Sequence, residues 1–134
     1  MLPPLDHRGY LPPGIHRCSI GELAERFSQG SPERHVEMAE LRELVAWCRD
    51  LGLCRVLVNG SFTTVKQSPN DVDVVVLLGP GQKAEVELEL GDPTRWPFLH
   101  ITVALDEDDF VAWSELRFGT DRLNCPKGVV EVLP

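Results

Sequence analysis

The chain has 134 residues, 43% of them hydrophobic and 25% charged, a length and balance that give one domain with a real core and exclude fibrous or wholly disordered proteins. Thirteen basic residues against 21 acidic ones leave a net charge of -8, which argues against a broad surface for nucleic-acid backbones. No apolar stretch reaches membrane-span length, and the N-terminus lacks the charged and apolar regions of a secretory leader. Cys18, Cys48, Cys54 and Cys125 form no CxxC pair and have no histidine at zinc-site spacing, so free thiols in a reducing cytoplasm are expected.

Residues 1–17 carry Pro3, Pro4, Pro12 and Pro13 without periodicity, so they read as an extended arm preceding a single domain at 18–134. Ser19 and Glu22 have capping-box spacing for a short helix through Phe27 that ends near Gly30. Ser31, Pro32 and Glu33 then open a second helix. Along it Leu41, Leu44, Val45, Cys48 and Leu51 make the inward stripe, with Glu37, Glu40, Glu43 and Arg49 mostly on the other face, and Gly52 stops it.

Cys54–Asn59 and Val72–Leu78 are β-branched and bounded by turn formers, and are expected to be neighbouring strands. Ala84–Leu90 alternates Glu85, Glu87 and Glu89 with apolar residues, which predicts a solvent-facing strand. Phe98–Leu105 alternates too, with His100 and Thr102 on its polar face. In Asp106–Asp109 either Asp106 or Asp108 caps a helix through about Arg117 that buries Phe110, Trp113 and Leu116. This acidic run lacks the alternating ligands of a calcium loop. Gly119 ends the helix, and the turn Asn124–Gly128 leads to a last strand, Val129–Leu133. The expected fold is α+β: a small mixed β-sheet with helices packed on one face.

Chemistry concentrates in NGSFTTVKQSPNDVDVVV, Asn59 to Val76. In a strand Asp71 and Asp73 share a face while Val72, Val74 and Val76 take the other. Two adjacent carboxylates repel unless a cation separates them, and Mg²⁺ suits one or two carboxylates plus phosphate and water. Gly60 permits close backbone approach, the Ser61 hydroxyl suits phosphate oxygens, and Lys66 adds a point charge or is an ordinary loop lysine.

This pattern, Gly-Ser at a strand end followed by Asp-x-Asp in an apolar strand, resembles the signature of the nucleotidyltransferase superfamily built on the DNA polymerase β-like palm. With LPPGIH (11–16) and FGTDRLNCPKGVVEV (118–132), it resembles a small bacterial family of unassigned function within that superfamily. The resemblance implies a nucleotidyltransferase-like palm that transfers a nucleotidyl group from an NTP to an unknown acceptor, protein or RNA. It assigns Asp71 and Asp73 to Mg²⁺, or Mn²⁺ in its place, and Gly60 and Ser61 to the phosphates. Active members usually carry a third carboxylate on a following strand. Here Phe98–Leu105 offers His100 and Thr102, leaving Glu85, Glu87, Glu89 or Asp106 as substitutes. The alternative is a catalytically degenerate binding protein, for example a toxin–antitoxin or defence component. His100 by itself reads as a hydrogen-bonded structural residue, and Arg117, Arg122 and Lys127 as surface charges or acceptor contacts.

Overall fold

The computed structural model describes residues 2–7, 9–27, 32–51, 55–59, 72–78, 84–104, 106–113 and 128–133. The described elements run β1 (Gly14–Ser19), α1 (Ile20–Phe27), α2 (Pro32–Asp50), β2 (Arg55–Asn59), β3 (Val72–Leu77), α3 (Ala84–Leu90), β4 (Leu99–Val103), α4 (Glu107–Ala112) and β5 (Gly128–Leu133). The strands form one mixed sheet in the order β1-β5-β2-β3-β4. The β1–β5 and β3–β4 pairs are parallel, and β2 runs antiparallel to both β3 and β5. This is the α+β architecture expected from the sequence.

Alternation along the strands divides the core in two. Val56, Val58, Val72, Val74, Val76, Val130 and Val132 face one way, against Leu23 and Phe27 of α1 and Leu41, Leu44, Val45 and Cys48 of α2. Leu57, Val75 and Val129 face the other way, against Ala104 and Phe110. Helices α1 to α3 thus lie on one face as expected, while α4 covers part of the opposite face. The strands read as apolar runs because both of their faces are buried.

Caps match the sequence. The Ser19 hydroxyl accepts the Glu22 amide at 3.1 Å and starts α1, and Asp106, not Asp108, caps α4 by accepting the Asp109 amide at 2.8 Å. The proposed breakers Gly30, Gly52 and Gly119 lie outside the described residues, as do Ser31 and Leu116.

Three expectations are corrected. Ala84–Leu90 is helix α3, not a strand. Its Glu, Leu and Ala residues are good helix formers, and Val86 and Leu90, four apart, meet the main core while Glu87, Leu88 and Glu89 stay exposed. Its last turn is closed by the Trp96 indole N–H, which donates to the Glu89 carbonyl at 3.1 Å, and by the Gly91 amide, which donates to the Glu87 carbonyl at 3.0 Å. Second, Glu37 and Glu40 of α2 are buried rather than facing water. Glu40 accepts the Phe98 amide at 2.6 Å and so fixes the entry to β4. Nearby Arg34 is buried and donates to the Phe27 carbonyl at 3.0 Å, tying α2 to the end of α1; burial pulls its guanidinium below its ordinary pKa.

Third, where the sequence leaves open whether the N-terminal arm packs on the body, its described residues do so. Leu2 and Leu11 belong to the main core, Arg26 donates to the Leu2 and Pro3 carbonyls, and Glu22 accepts the Leu2 amide. A boundary after residue 17 falls inside β1, because the prolines, which lack an N–H, all precede the strand. At the start of β5, Gly128 passes so close to the Pro12 carbonyl that a Cβ there would lie 2.2 Å from it. His16 locks the same corner, its Nε2 lying 2.6 Å from the Pro12 carbonyl oxygen and hence donating to it.

Candidate functional site

The face shared with α4 carries the Asp, Glu and Arg side chains of the described strands. At one end Glu131, almost fully buried, accepts one edge of Arg55, Nε at 2.9 Å and Nη2 at 3.0 Å, and Arg17 Nε at 3.3 Å. Arg55 also reaches Glu107 at 3.1 Å and lies 4.6 Å above the Phe110 ring. The Arg55 hydrogen bonds hold the Glu131 carboxyl below the usual carboxylate range, although burial opposes this. Each charge in the ladder has an opposite partner, and through Glu107 it ties β1, β5 and β2 to α4. Its role is cohesion of that face.

The opposite end of the same face holds the residues that the sequence singles out. Asn59, the last residue of β2, is the register partner of Asp73, and Asp73 is in turn the register partner of His100. Three strands therefore bring Asn59, Asp73 and His100 into one row across the sheet. The Asp73 Oδ1 and the His100 Nδ1 are 3.2 Å apart, with side-chain exposures of 36% and 70%. Behind them Val72 and Val74 are fully buried, so the strand is anchored by its apolar face and presents Asp73 at the rim. The antiparallel pairing of β2 and β3 places Asn59, which directly precedes the Gly-Ser pair in sequence, beside Asp73 of the Asp-x-Asp pair. Gly60, Ser61, Lys66 and Asp71 themselves lie outside the described residues, as do Arg117, Arg122 and Lys127.

Of the substitutes for a third carboxylate, Glu87 and Glu89 sit on the exposed side of α3, with Glu89 3.9 Å from Arg95. The Glu85 side chain lies outside those described. Asp106 is engaged as the α4 cap. His100, expected on the polar face of its strand, is the side chain that faces Asp73. Asp73 offers a hard dication one carboxylate, which fits part of a Mg²⁺ site; His100 does not fit as the carboxylate that would bridge a second Mg²⁺. Among the described residues no group of three or more His, Cys, Asp or Glu side chains is arranged to hold a metal.

The described thiols offer no competing chemistry. Cys18 and Cys48 are buried, and burial pushes the Cys18 thiol up to about 11, so it stays protonated at neutral pH. Cys54 and Cys125 lie outside the described residues. Sequence reasoning missed the Arg17, Arg55, Glu131 and Glu107 ladder. Its signal was Glu131, the lone charge in Val129–Leu133, which is the same anomaly that drew attention to Asp73.

These features define an α+β protein with a five-stranded mixed sheet and an open, ionisable strand end on the face opposite its main helical layer. The chain belongs to DUF6932, a family of unknown function whose profile matches residues 3–133. No curated protein and no solved structure matches it. None of the helices among the described residues is long and apolar enough to cross a membrane.

Proposed function

We propose that the chain is a nucleotidyltransferase-like protein that holds an NTP with a divalent cation at the β2–β3 strand end and does not carry out two-metal nucleotidyl transfer. The observation that carries this reading is the row Asn59, Asp73 and His100. It sets Asn59, the residue before Gly-Ser in sequence, beside Asp73 and puts an imidazole on β4, facing Asp73. The resemblance is also supported by α3, since many relatives in that superfamily have a helix between the corresponding strands. Ser61 and the Gly60 amide would hold phosphate oxygens, and Asp71 with Asp73 would hold the cation, as the resemblance implies.

The loss of transfer follows from charge. Two dications at a reacting phosphate need a shared anionic ligand, and a neutral imidazole supplies neither the charge nor the second oxygen. Nucleotide binding needs less, because one dication and a phosphate cradle suffice.

Calorimetric titration with Mg²⁺ and each NTP tests the reading. Binding is expected, and it should disappear in the double variant Asp71→Ala with Asp73→Ala. Radiolabelled NTP incubated with the protein and cell extract should label nothing. Absence of NTP binding by the intact protein would remove the nucleotide reading; labelling that depends on Asp73 would replace the binding reading with transfer to an acceptor.

A further inference from the structure

The Asp73 and His100 side chains meet where two strands run parallel in register, so their positions are set by the backbone ladder and not by chance contact of long side chains. We infer that Asp73 Oδ1 and His100 Nδ1 are adjacent ligands of a borderline first-row transition dication, and that this strand end selects such an ion over Mg²⁺. The inference deepens the nucleotide-site reading by naming the class of cation, and it is measurable without nucleotide.

Geometry is the first argument. Two donor atoms 3.2 Å apart can both lie about 2.1–2.2 Å from one ion, which subtends a donor–ion–donor angle of roughly 95°. That is close to the roughly 90° between neighbouring positions of an octahedron. The pair therefore needs no rearrangement of the strands to become a two-point clamp. In the absence of an ion the same two atoms lie within hydrogen-bond distance of each other.

Donor chemistry is the second argument. A carboxylate oxygen alone does not separate Mg²⁺ from transition ions, whereas an imidazole nitrogen favours the latter, in the order of affinity that rises from Mn²⁺ through Co²⁺ and Ni²⁺. Mg²⁺ also gives up its water reluctantly and prefers oxygen. The third argument is access. With His100 70% and Asp73 36% exposed, the remaining coordination positions open to water and to phosphate oxygens. A closed structural site would have had buried ligands.

The probes are Co²⁺ and Mg²⁺ alone, titrated calorimetrically into the full chain, with the imidazole resonances followed by NMR. Co²⁺ should bind at least about tenfold more tightly than Mg²⁺ and should shift the His100 ring resonances beyond those of His7, His16 and His35. His100→Gln should weaken Co²⁺ by about tenfold or more while leaving Mg²⁺ where it was. His100→Asp should raise Mg²⁺ affinity and abolish the imidazole shifts. Both variants alter an exposed side chain, and unchanged thermal melting will show that they fold. Equal Co²⁺ affinity in wild type and His100→Gln, or equal Co²⁺ and Mg²⁺ affinity in wild type, would overturn the inference. Co²⁺ bound through His100 by a chain that takes no NTP supports the ion site and refutes the nucleotide reading. NTP binding with Mg²⁺, together with Co²⁺ binding indifferent to His100→Gln, does the reverse.

Discussion

Replacing Glu131 by glutamine removes one charge from the centre of the ladder on the α4 face while keeping the side-chain volume. Glu131 is 6% exposed at its side chain and accepts a two-point contact from Arg55 and a third hydrogen bond from Arg17. In the Glu131→Gln variant the new amide turns an NH₂ group toward guanidinium donors, so one edge of the Arg55 contact becomes donor against donor. A charge-assisted hydrogen bond contributes about 1.5–3 kcal/mol, and all three lose their charged acceptor. Arg55 at 31% and Arg17 at 58% exposure recover part of this through water, so the net loss is about 2 kcal/mol. For a chain of this size that lowers Tm by about 6–8 °C.

The same substitution has a pH signature. Because the Glu131 carboxyl titrates lower in the folded protein than in the unfolded chain, its stabilisation is complete above the ordinary glutamate value of about 4.3. It is lost as pH falls through the folded value. Urea unfolding followed by circular dichroism at steps from about pH 7 to about pH 3 should show the gap between wild type and Glu131→Gln closing over the acidic steps. A gap that stays constant with pH, or a variant as stable as wild type at neutral pH, would refute the assignment of the ladder as the lock on this face.

Glu40 behaves oppositely. Burial raises its carboxyl above the ordinary range, so ionisation costs stability as pH rises through and beyond about 4.3; Glu40→Gln, whose carbonyl still accepts the Phe98 amide, should be at least as stable as wild type at neutral pH, with a lead that shrinks on acidification. A lead that grows in acid would contradict this. Gly128→Ala should cost about 2–3 kcal/mol in chemical denaturation, because its Cβ would lie 2.2 Å from the Pro12 carbonyl and 2.9 Å from the His16 ring; an unchanged midpoint would show that the corner can open. Asp106→Ala removes the acceptor of the Asp109 amide and should cost about 1 kcal/mol, with faster amide exchange confined to α4.

Features of the fold governed by local rules were legible in the sequence. The α2 stripe, the Ser19 cap, a cap at Asp106 or Asp108, the apolar strands β2 and β3 and the two-sided alternation of Val72 to Val76 all follow from periodicity and capping chemistry within a few residues, and the structure chooses Asp106. Ala84–Leu90 was not, because strict alternation and helical spacing both fit seven residues, and only the packing of Val86 and Leu90 on the core decides between them. Glu37 and Glu40 lie on or beside the inward stripe by spacing, but their charge argued for the surface; Arg34 is a neighbour of Glu37 on the same helix, whereas only the tertiary fold brings the Phe98 amide to Glu40. At the site, the placing of Asp73 on the face opposite its apolar neighbours Val72 and Val74 was readable. The register that sets His100 opposite it was not, since it depends on pairing between segments 27 residues apart.

The strand order carries a consequence for how the chain is made. β5 is inserted between β1 and β2, so β1 joins the sheet through the latest of the five strands to be synthesised. Until residues 128–133 leave the ribosome, β1 lacks its partner, and the valine-rich edge of β2 is open along the side where β5 will pair. Closure is thus a contact between segments more than a hundred residues apart, since Gly14 pairs with Gly128, the kind that slows folding and leaves a sticky strand edge exposed meanwhile. A nascent chain halted just before Gly128 would hold the β2–β3 pair and its helices, yet present to chaperones the very edge that the finished protein conceals.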